Sequence, residues 1–265
     1  MEKVTYFCRS NETHTEMAKK TIDIATVFKG RATVTKDELT AYIQRSEGSV
    51  NELSIRQRIS RYKKAGLIIS VRKAVYAFSN KPVYKHPEDK FITKLSQLFS
   101  GQYPGINNCI WSSAWLYDFT VHQPAQFFYI FETEPDMVET SFNLLKDHGY
   151  KAFINPDEQT IQLYVMGEKN AVVVKSLISR SPLVKKKSIP LPSLEKMLVD
   201  AFIDKKQFYF IQGKEMQNIY KFSFSKYSIQ LSSLLNYAKR RGSGSEITNF
   251  LMEHVSDLRK VLEND

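Results

Sequence analysis

Seven side chains have the types and spacing to read nucleic acid: Arg56, Gln57, Ser60, Arg61, Lys64, Arg72 and Lys73. Arg presents a donor fork to the guanine edge, and Gln pairs a donor with an acceptor on adenine. Ser, Lys and further Arg suit phosphate oxygens, which position a protein on the duplex. Projected at about 100° per residue, Gln57, Ser60, Arg61 and Lys64 share one side of a helix with Arg56 on its flank. Ile55, Ile59 and Tyr62 form the opposite, apolar stripe. Arg56 and Gln57 are placed for base edges; Arg61, Lys64, Arg72 and Lys73 for phosphates.

A second set, Glu132, Glu134 and Asp136, has a different potential. Two or three converging carboxylates hold Mg²⁺ for nuclease or nucleotidyltransferase chemistry. A restriction-type nuclease adds Glu-x-Lys on the same strand, and a nucleotidyltransferase adds a Gly-Ser turn ahead of Asp-x-Asp. Neither is present. The run reads instead as a strand end entering a helix with acids in its first turn. Walker, GxGxxG, GxSxG and HExxH patterns are missing. His14, His86, His122, His148 and His254 are scattered, and Cys8 and Cys109 have no zinc spacing. No catalytic residue, metal ligand set or cofactor is expected.

The elements that must carry the basic set follow from the local pattern. A first helix is expected over about Thr13–Phe28. Thr35 and Glu38 form a capping box for a second helix with Leu39, Tyr42 and Ile43 inward, and Gly48 lies just past its end. A third helix is expected over Asn51–Ala65, stopped by Gly66. Runs 67–71 and 74–78, joined at Arg72-Lys73, read as a β-hairpin. Three helices and a hairpin make a winged helix-turn-helix, whose third helix lies in the DNA major groove.

Charge has the same address. The 265 residues carry 38 Lys/Arg and 28 Asp/Glu, a net charge of +10. Residues 1–80 hold fifteen basic and eight acidic residues, a net of +7, and residues 51–73 hold seven basic residues and one acid. A positive excess points to an anionic partner, nucleic acid or an acidic membrane surface. No apolar run reaches the roughly 18–20 residues of a membrane span, and the start lacks a signal-peptide core. Two cysteines about a hundred residues apart leave reduced thiols in a cytoplasm as the expectation.

The fold class expected is α+β. A winged helix-turn-helix domain occupies 1–80, and a mixed α/β domain with a C-terminal helical region occupies 81–265. The boundary falls near 80–86, after Ser79-Asn80-Lys81-Pro82. In the second part, 91–99 reads as a helix, 109–111 and 126–131 as strands, and 136–148 as a helix. Runs 150–154 and 160–165 read as a hairpin about Asn155-Pro156-Asp157, and 171–174 as a buried strand. Helices follow over 193–205, 213–221, 228–241 and 245–262. The apolar stripe of the last, from Ile247 to Leu262, reads as core packing rather than a dimer seam. Lys185-Lys186-Lys187, Lys205-Lys206 and Lys239-Arg240-Arg241 are further basic clusters.

The run Lys63-Lys64-Ala65-Gly66-Leu67-Ile68-Ile69 through Val75-Tyr76 resembles the winged-helix start of AbiEi-type antitoxins, with Ala74 where that family has Gly. Trp111-Ser112-Ser113-Ala114-Trp115-Leu116 is similar to the family's Ser-Ala helix. Pro192-Ser193-Leu194-Glu195-Lys196-Met197-Leu198-Val199-Asp200 resembles its "Pro-x-Leu-Glu-Lys-x-Leu-Val-Asp" helix, the most specific match. The resemblance covers roughly residues 20–220. It implies a repressor of its own operon that binds inverted repeats in double-stranded promoter DNA. It also implies the antitoxin of a type IV toxin–antitoxin pair, countering a nucleotidyltransferase-like toxin without a stable complex. By position, Arg56, Gln57, Arg61, Lys64, Arg72 and Lys73 match the DNA-contacting elements. Two other readings stay open: a nucleic-acid-processing enzyme targeted by the winged helix, and a wing that binds protein.

Overall fold

The computed structural model describes Ile24, Val27, Phe28, Arg31, residues 33–255 and Leu258. Apart from Ile24, Val27 and Phe28, the first predicted helix lies outside the described residues, as do Cys8, Val261 and Leu262. The chain is mixed α+β. Its first elements are β1 (Val34–Thr35), α1 (Lys36–Glu47), α2 (Glu52–Lys64), β2 (Ile68–Arg72) and β3 (Val75–Phe78). The strands form an antiparallel sheet in the order β1-β3-β2. The strand Val34–Thr35 is too short to leave a periodic signal in the sequence.

Local rules explain these elements. The Thr35 side chain accepts from the Glu38 amide and Glu38 reaches back to Thr35, so the box closes at the start of α1. Asn51 caps α2 through the Ser54 amide. At the far end Leu67 N–H donates to Tyr62 and Gly66 N–H to Lys63, a Schellman turn. Gly66 is at φ +76°, and a Cβ there would come within 2.9 Å of the Lys81 carbonyl. Leu39, Ile43, Ile55, Ile59, Tyr62, Ile68 and Tyr76 bury together with Ile24 and Val34 as one small core.

The hairpin turn carries a cost. Ala74 adopts φ 61°, in the left-handed region, where a Cβ meets the following carbonyl and costs roughly 1–2 kcal/mol. Ala74→Gly is therefore expected to raise stability by about 1 kcal/mol, less some unfolded-state entropy. Urea unfolding checks this, and a drop in stability would refute the account of the turn. A bulge between Ser70 and Arg72 shifts the register, and Val71 packs in the larger core beyond.

That larger core is built on a four-stranded sheet in the order β4-β5-β7-β6. The elements are α3 (Lys90–Gln102), β4 (Asn108–Ser112), β5 (Tyr129–Thr133), α4 (Val138–Asp147), β6 (Ala152–Ile154) and β7 (Val172–Ser176). β4 runs antiparallel to β5, while β7 is parallel to both β5 and β6. β4 and β5 are buried at every residue, as strands covered on both faces must be. Two more strands, β8 (Leu183–Lys186) and β9 (Ile189–Pro192), form a separate hairpin. Four longer helices follow: α5 (Leu194–Ile203), α6 (Lys214–Lys226), α7 (Leu231–Arg240) and α8 (Gly244–His254).

Two expectations need correction. Residues 160–165 do not return as a hairpin strand against 150–154; they belong to the helical segments Glu158–Thr160 and Ile161–Val165. The Asp157 carboxylate accepts the Thr160 amide and so starts a helix, and Ile161 and Val165 bury at helical spacing while Leu163 is 60% exposed. β6 pairs with β7 instead. The expected strand 126–131 is displaced to Tyr129–Thr133, because pairing with β4 and β7 extends through the polar residues Glu132 and Thr133. The β8–β9 hairpin has no counterpart among the expected elements, since its lysines and prolines hide the strand pattern. Ile247, Leu251, Val255 and Leu258 are buried in the larger core, in keeping with core packing for that stripe. Among the described residues no helix is long and apolar enough to cross a membrane.

A polar strap joins the two cores. Gln230 accepts the Ser70 amide at 2.8 Å and donates to the Ile68 carbonyl at 3.1 Å, capping the edge of β2. The Gln230 amide itself donates to the buried Glu195. Lys81 donates to the Phe224 carbonyl, and Ser228 N–H to that of Pro82, so the stretch between the cores lies against the end of α6.

Candidate nucleic-acid interface

Because Ile55, Ile59 and Tyr62 face the small core, geometry sends the other side of α2 outward. Arg56, Gln57, Ser60, Arg61 and Lys64 are all exposed, as are Arg72 and Lys73 at the hairpin turn. The structure thus places all seven predicted residues at the surface of two adjoining elements. Arg56 forks onto Glu52 at 2.6 Å, with both side chains more than 60% exposed. The guanidinium holds the Glu52 carboxyl below its usual range. A pair this exposed is screened by solvent, contributes little to stability and opens readily to a competing partner. Arg58, on the same helix, is instead committed to Glu47 at 2.9 Å. Lys63 is half-buried over the Tyr76 ring, and burial pulls its pKa down.

The basic clusters of the larger core have different fates. Lys185 and Lys186 line the same groove as Lys63 and Lys64. Arg241 turns inward, onto Asp200 at 2.6 Å and Asp204 at 2.7 Å. Arg240 donates to the Arg180 carbonyl, and Lys205 pairs with Glu246 across α8. Of the run Lys239-Arg240-Arg241, Arg241 is therefore withdrawn from the cationic surface, while Lys239 and Arg240 are exposed.

Glu132, Glu134 and Asp136 do not converge. Glu132 is fully buried against Lys196 at 2.6 Å. Glu134 accepts from the Asn107 side chain and amide, and Asp136 sits in the following helical turn. Among the described residues no three His, Cys, Asp or Glu side chains could hold a metal ion.

Sequence reasoning missed two polar assemblies. One is an ion network in the larger core. Lys196 bonds Glu132 and Asp200, and Asp200 also accepts from Tyr237 and Arg241. Asp204 then accepts from Arg241 and from Lys175 of β7. Lys196 and Asp200 stand four apart in the motif of α5, but helix spacing alone does not tell a buried pair from a solvated one. The other assembly is the groove beside α2, formed by segments far apart in the chain.

Residues 54–257 match the model of a family described as "Family of unknown function (DUF6577)". No curated protein and no solved structure matches the chain.

Proposed function

The chain belongs to the family of unknown function DUF6577, and from its geometry we propose that it is a DNA-binding transcriptional regulator acting through a winged helix-turn-helix. The observation that carries this reading is the outward face of α2 continued by the hairpin turn, a strip of exposed Arg, Gln, Ser and Lys. A B-DNA major groove about 12 Å wide admits one helix. Arg56 and Gln57 then meet base edges, and Ser60, Arg61, Lys64, Arg72 and Lys73 meet phosphates on either side. In this reading residues 1–80 form the DNA-reading unit and 81–265 the effector unit. No catalytic group or cofactor takes part, and the protein works in the cytoplasm on its own promoter.

The likeness of Leu194–Asp200 and of the helix-to-hairpin run to AbiEi-type antitoxins extends the proposal. The regulator is also the antitoxin of a type IV pair, opposing a nucleotidyltransferase-like toxin without binding it stably. The alternative of a metal-dependent nuclease or nucleotidyltransferase draws no support from the positions of Glu132, Glu134 and Asp136.

Electrophoretic mobility shift with DNA from upstream of the chain's own reading frame is the test. Expected is a shift whose affinity falls steeply with salt, as lysines and arginines displace condensed counterions. Absence of a shift at low salt would end the DNA reading. Co-expression with a neighbouring nucleotidyltransferase frame tests the antitoxin part, with restored growth as the expected result.

A further inference from the structure

The basic segment 51–73 contains one acid, Glu52, and it stands beside Arg56 in the proposed interface. An acid facing a polyanion repels phosphates and lowers affinity for any duplex. Helix support is the plainest task for it. A carboxylate in the first turn of α2 favours the dipole and pairs with Arg56 four residues on. Its contacts do more than that task requires.

Among the described residues, every hydrogen bond that the Glu52 side chain accepts falls on one oxygen. Oε1 accepts from Arg56 Nη2 at 2.6 Å, from Arg56 Nε at 3.2 Å and from Lys36 Nζ at 3.5 Å. Oε2 has no hydrogen-bond partner among the described residues, and it belongs to a side chain that is 64% exposed. Lys36 also fixes this corner of the fold. Its amide donates to the Ala74 carbonyl at 2.7 Å, so the carboxylate lies where the starts of α1 and α2 meet the hairpin turn. Arg56 is held by its Nε–Nη2 side. The Nη1–Nη2 end of the guanidinium, the fork that matches guanine O6 and N7, is left to face a base.

We propose that Glu52 is a specificity-determining residue, working with Arg56 as one reader of a guanine and a neighbouring cytosine. Glu52 holds the guanidinium by its side, aims its end at the guanine edge, and accepts the cytosine N4 amino group at Oε2. Guanine shows acceptors in the major groove and cytosine shows a donor, so the pair is complementary to both. In water the ion pair is screened. Under a duplex that excludes water the same contact strengthens and holds the alignment. Where no cytosine amino group is in place, the carboxylate meets only acceptors and phosphates and weakens binding. The acid thus lowers affinity for DNA in general and raises discrimination. This inference rests on the DNA-binding reading above.

Mobility shifts of the full chain on three kinds of duplex test it. These are the footprinted segment upstream of its own reading frame, that segment with each base pair exchanged in turn, and an unrelated sequence. In the wild type, exchanging one C·G pair for T·A is expected to weaken binding about 10-fold. Glu52→Ala is expected to bind the unrelated duplex about 3–10-fold more tightly, the opposite sign to the loss of a basic residue. It is also expected to shrink the penalty at that pair to less than about 3-fold. Glu52→Gln keeps the length and an acceptor oxygen, and is expected to gain on the unrelated duplex while losing less of the preference. Glu52→Ala with Arg56→Ala is expected to relax that pair no further than either alone. Circular dichroism establishes that the variants fold. If Glu52→Ala weakens all three duplexes alike, Glu52 only supports the helix and the proposal is overturned. An unchanged base-pair profile overturns it too, as do independent losses from the two alanine variants. If the wild type binds no duplex, the DNA reading and this inference fall together. If it binds and prefers its own segment while Glu52→Ala changes nothing, the inference alone falls.

Discussion

Lys196→Met is expected to destabilise the fold by about 3–5 kcal/mol, the usual result of removing one partner from a buried ion pair. The Lys196 side chain is 0% exposed and bridges Glu132 and Asp200, both also 0% exposed. Methionine keeps the length and removes the charge. Glu132 would then hold an uncompensated charge, and its Oε1 already lacks a hydrogen bond. Asp200 keeps Tyr237 and Arg241, so the larger part of the loss comes from Glu132. Adding Glu132→Gln to Lys196→Met is expected to restore roughly half of the lost stability, because it removes the stranded charge. Urea unfolding reads all three proteins, and a loss below about 1 kcal/mol for Lys196→Met would refute the role given to the network.

The pH dependence has a definite sign. Burial alone would push the Asp200 pKa up, but Lys196, Lys175 and Arg241 outweigh it and hold the carboxyl below its usual range. Its contribution is present above the unfolded value of about 3.9 and is lost as pH falls through the folded one. Burial opposes the Lys196 charge, yet Asp200 and Glu132 prevail and raise its pKa. That contribution is complete below about pH 10.4 and is lost as pH rises through the folded value. Between these limits Lys196 and Asp200 are both charged. In Lys196→Met the stranded carboxylate gains a raised folded pKa, so the folded form binds the extra proton. The variant, unlike the wild type, is therefore expected to gain thermal stability from about pH 7 to about pH 5.

Arg56→Ala with Arg61→Ala is expected to lower DNA affinity about 100-fold, with stability unchanged within about 0.5 kcal/mol because both positions are exposed. The two residues contribute differently. On the proposed reading, loss of Arg56 removes a base-edge fork worth about 1–3 kcal/mol and is expected to relax preference at one position of the site. Loss of Arg61 weakens all sequences alike and lowers the salt slope by about one. Mobility shifts of each single variant against matched and mismatched duplexes, over a salt series, separate the two. Unchanged affinity in the double variant would remove α2 from the interface.

Much of the first core is legible in the sequence because its signals are local. Thr35 and Glu38 lie within one helical turn, Gly66 ends α2 through its own backbone conformation, and Ile55, Ile59 and Tyr62 declare a face by spacing alone. The exposed side of α2 follows from the same periodicity. Where local signals compete, the sequence misleads. Thr160–Val165 has the β-branched and aromatic residues of a strand, but Asp157 supplies a cap and the core accepts Ile161 and Val165 as a helical pair. The β8–β9 hairpin lacks a clear apolar–polar alternation, because Pro190, Pro192 and the lysines mask it. Glu132 and Arg241 mislead for a common reason. Each invites a reading with its sequence neighbours, as an acid in a carboxylate run and a base in a cationic run, while its true partner comes from another element.

By itself, then, the sequence determined the caps, the core stripe of α2, the hairpin after it and the outward strip from Arg56 to Lys73, since each depends on residues a few positions apart. Tertiary structure alone decided which charges are buried and which groove the lysines share. Lys196 finds Glu132 across 64 positions and Gln230 reaches Ser70 across 160. Whether a charge is solvated or enclosed is a property of everything packed around it, and no spacing along the chain encodes that.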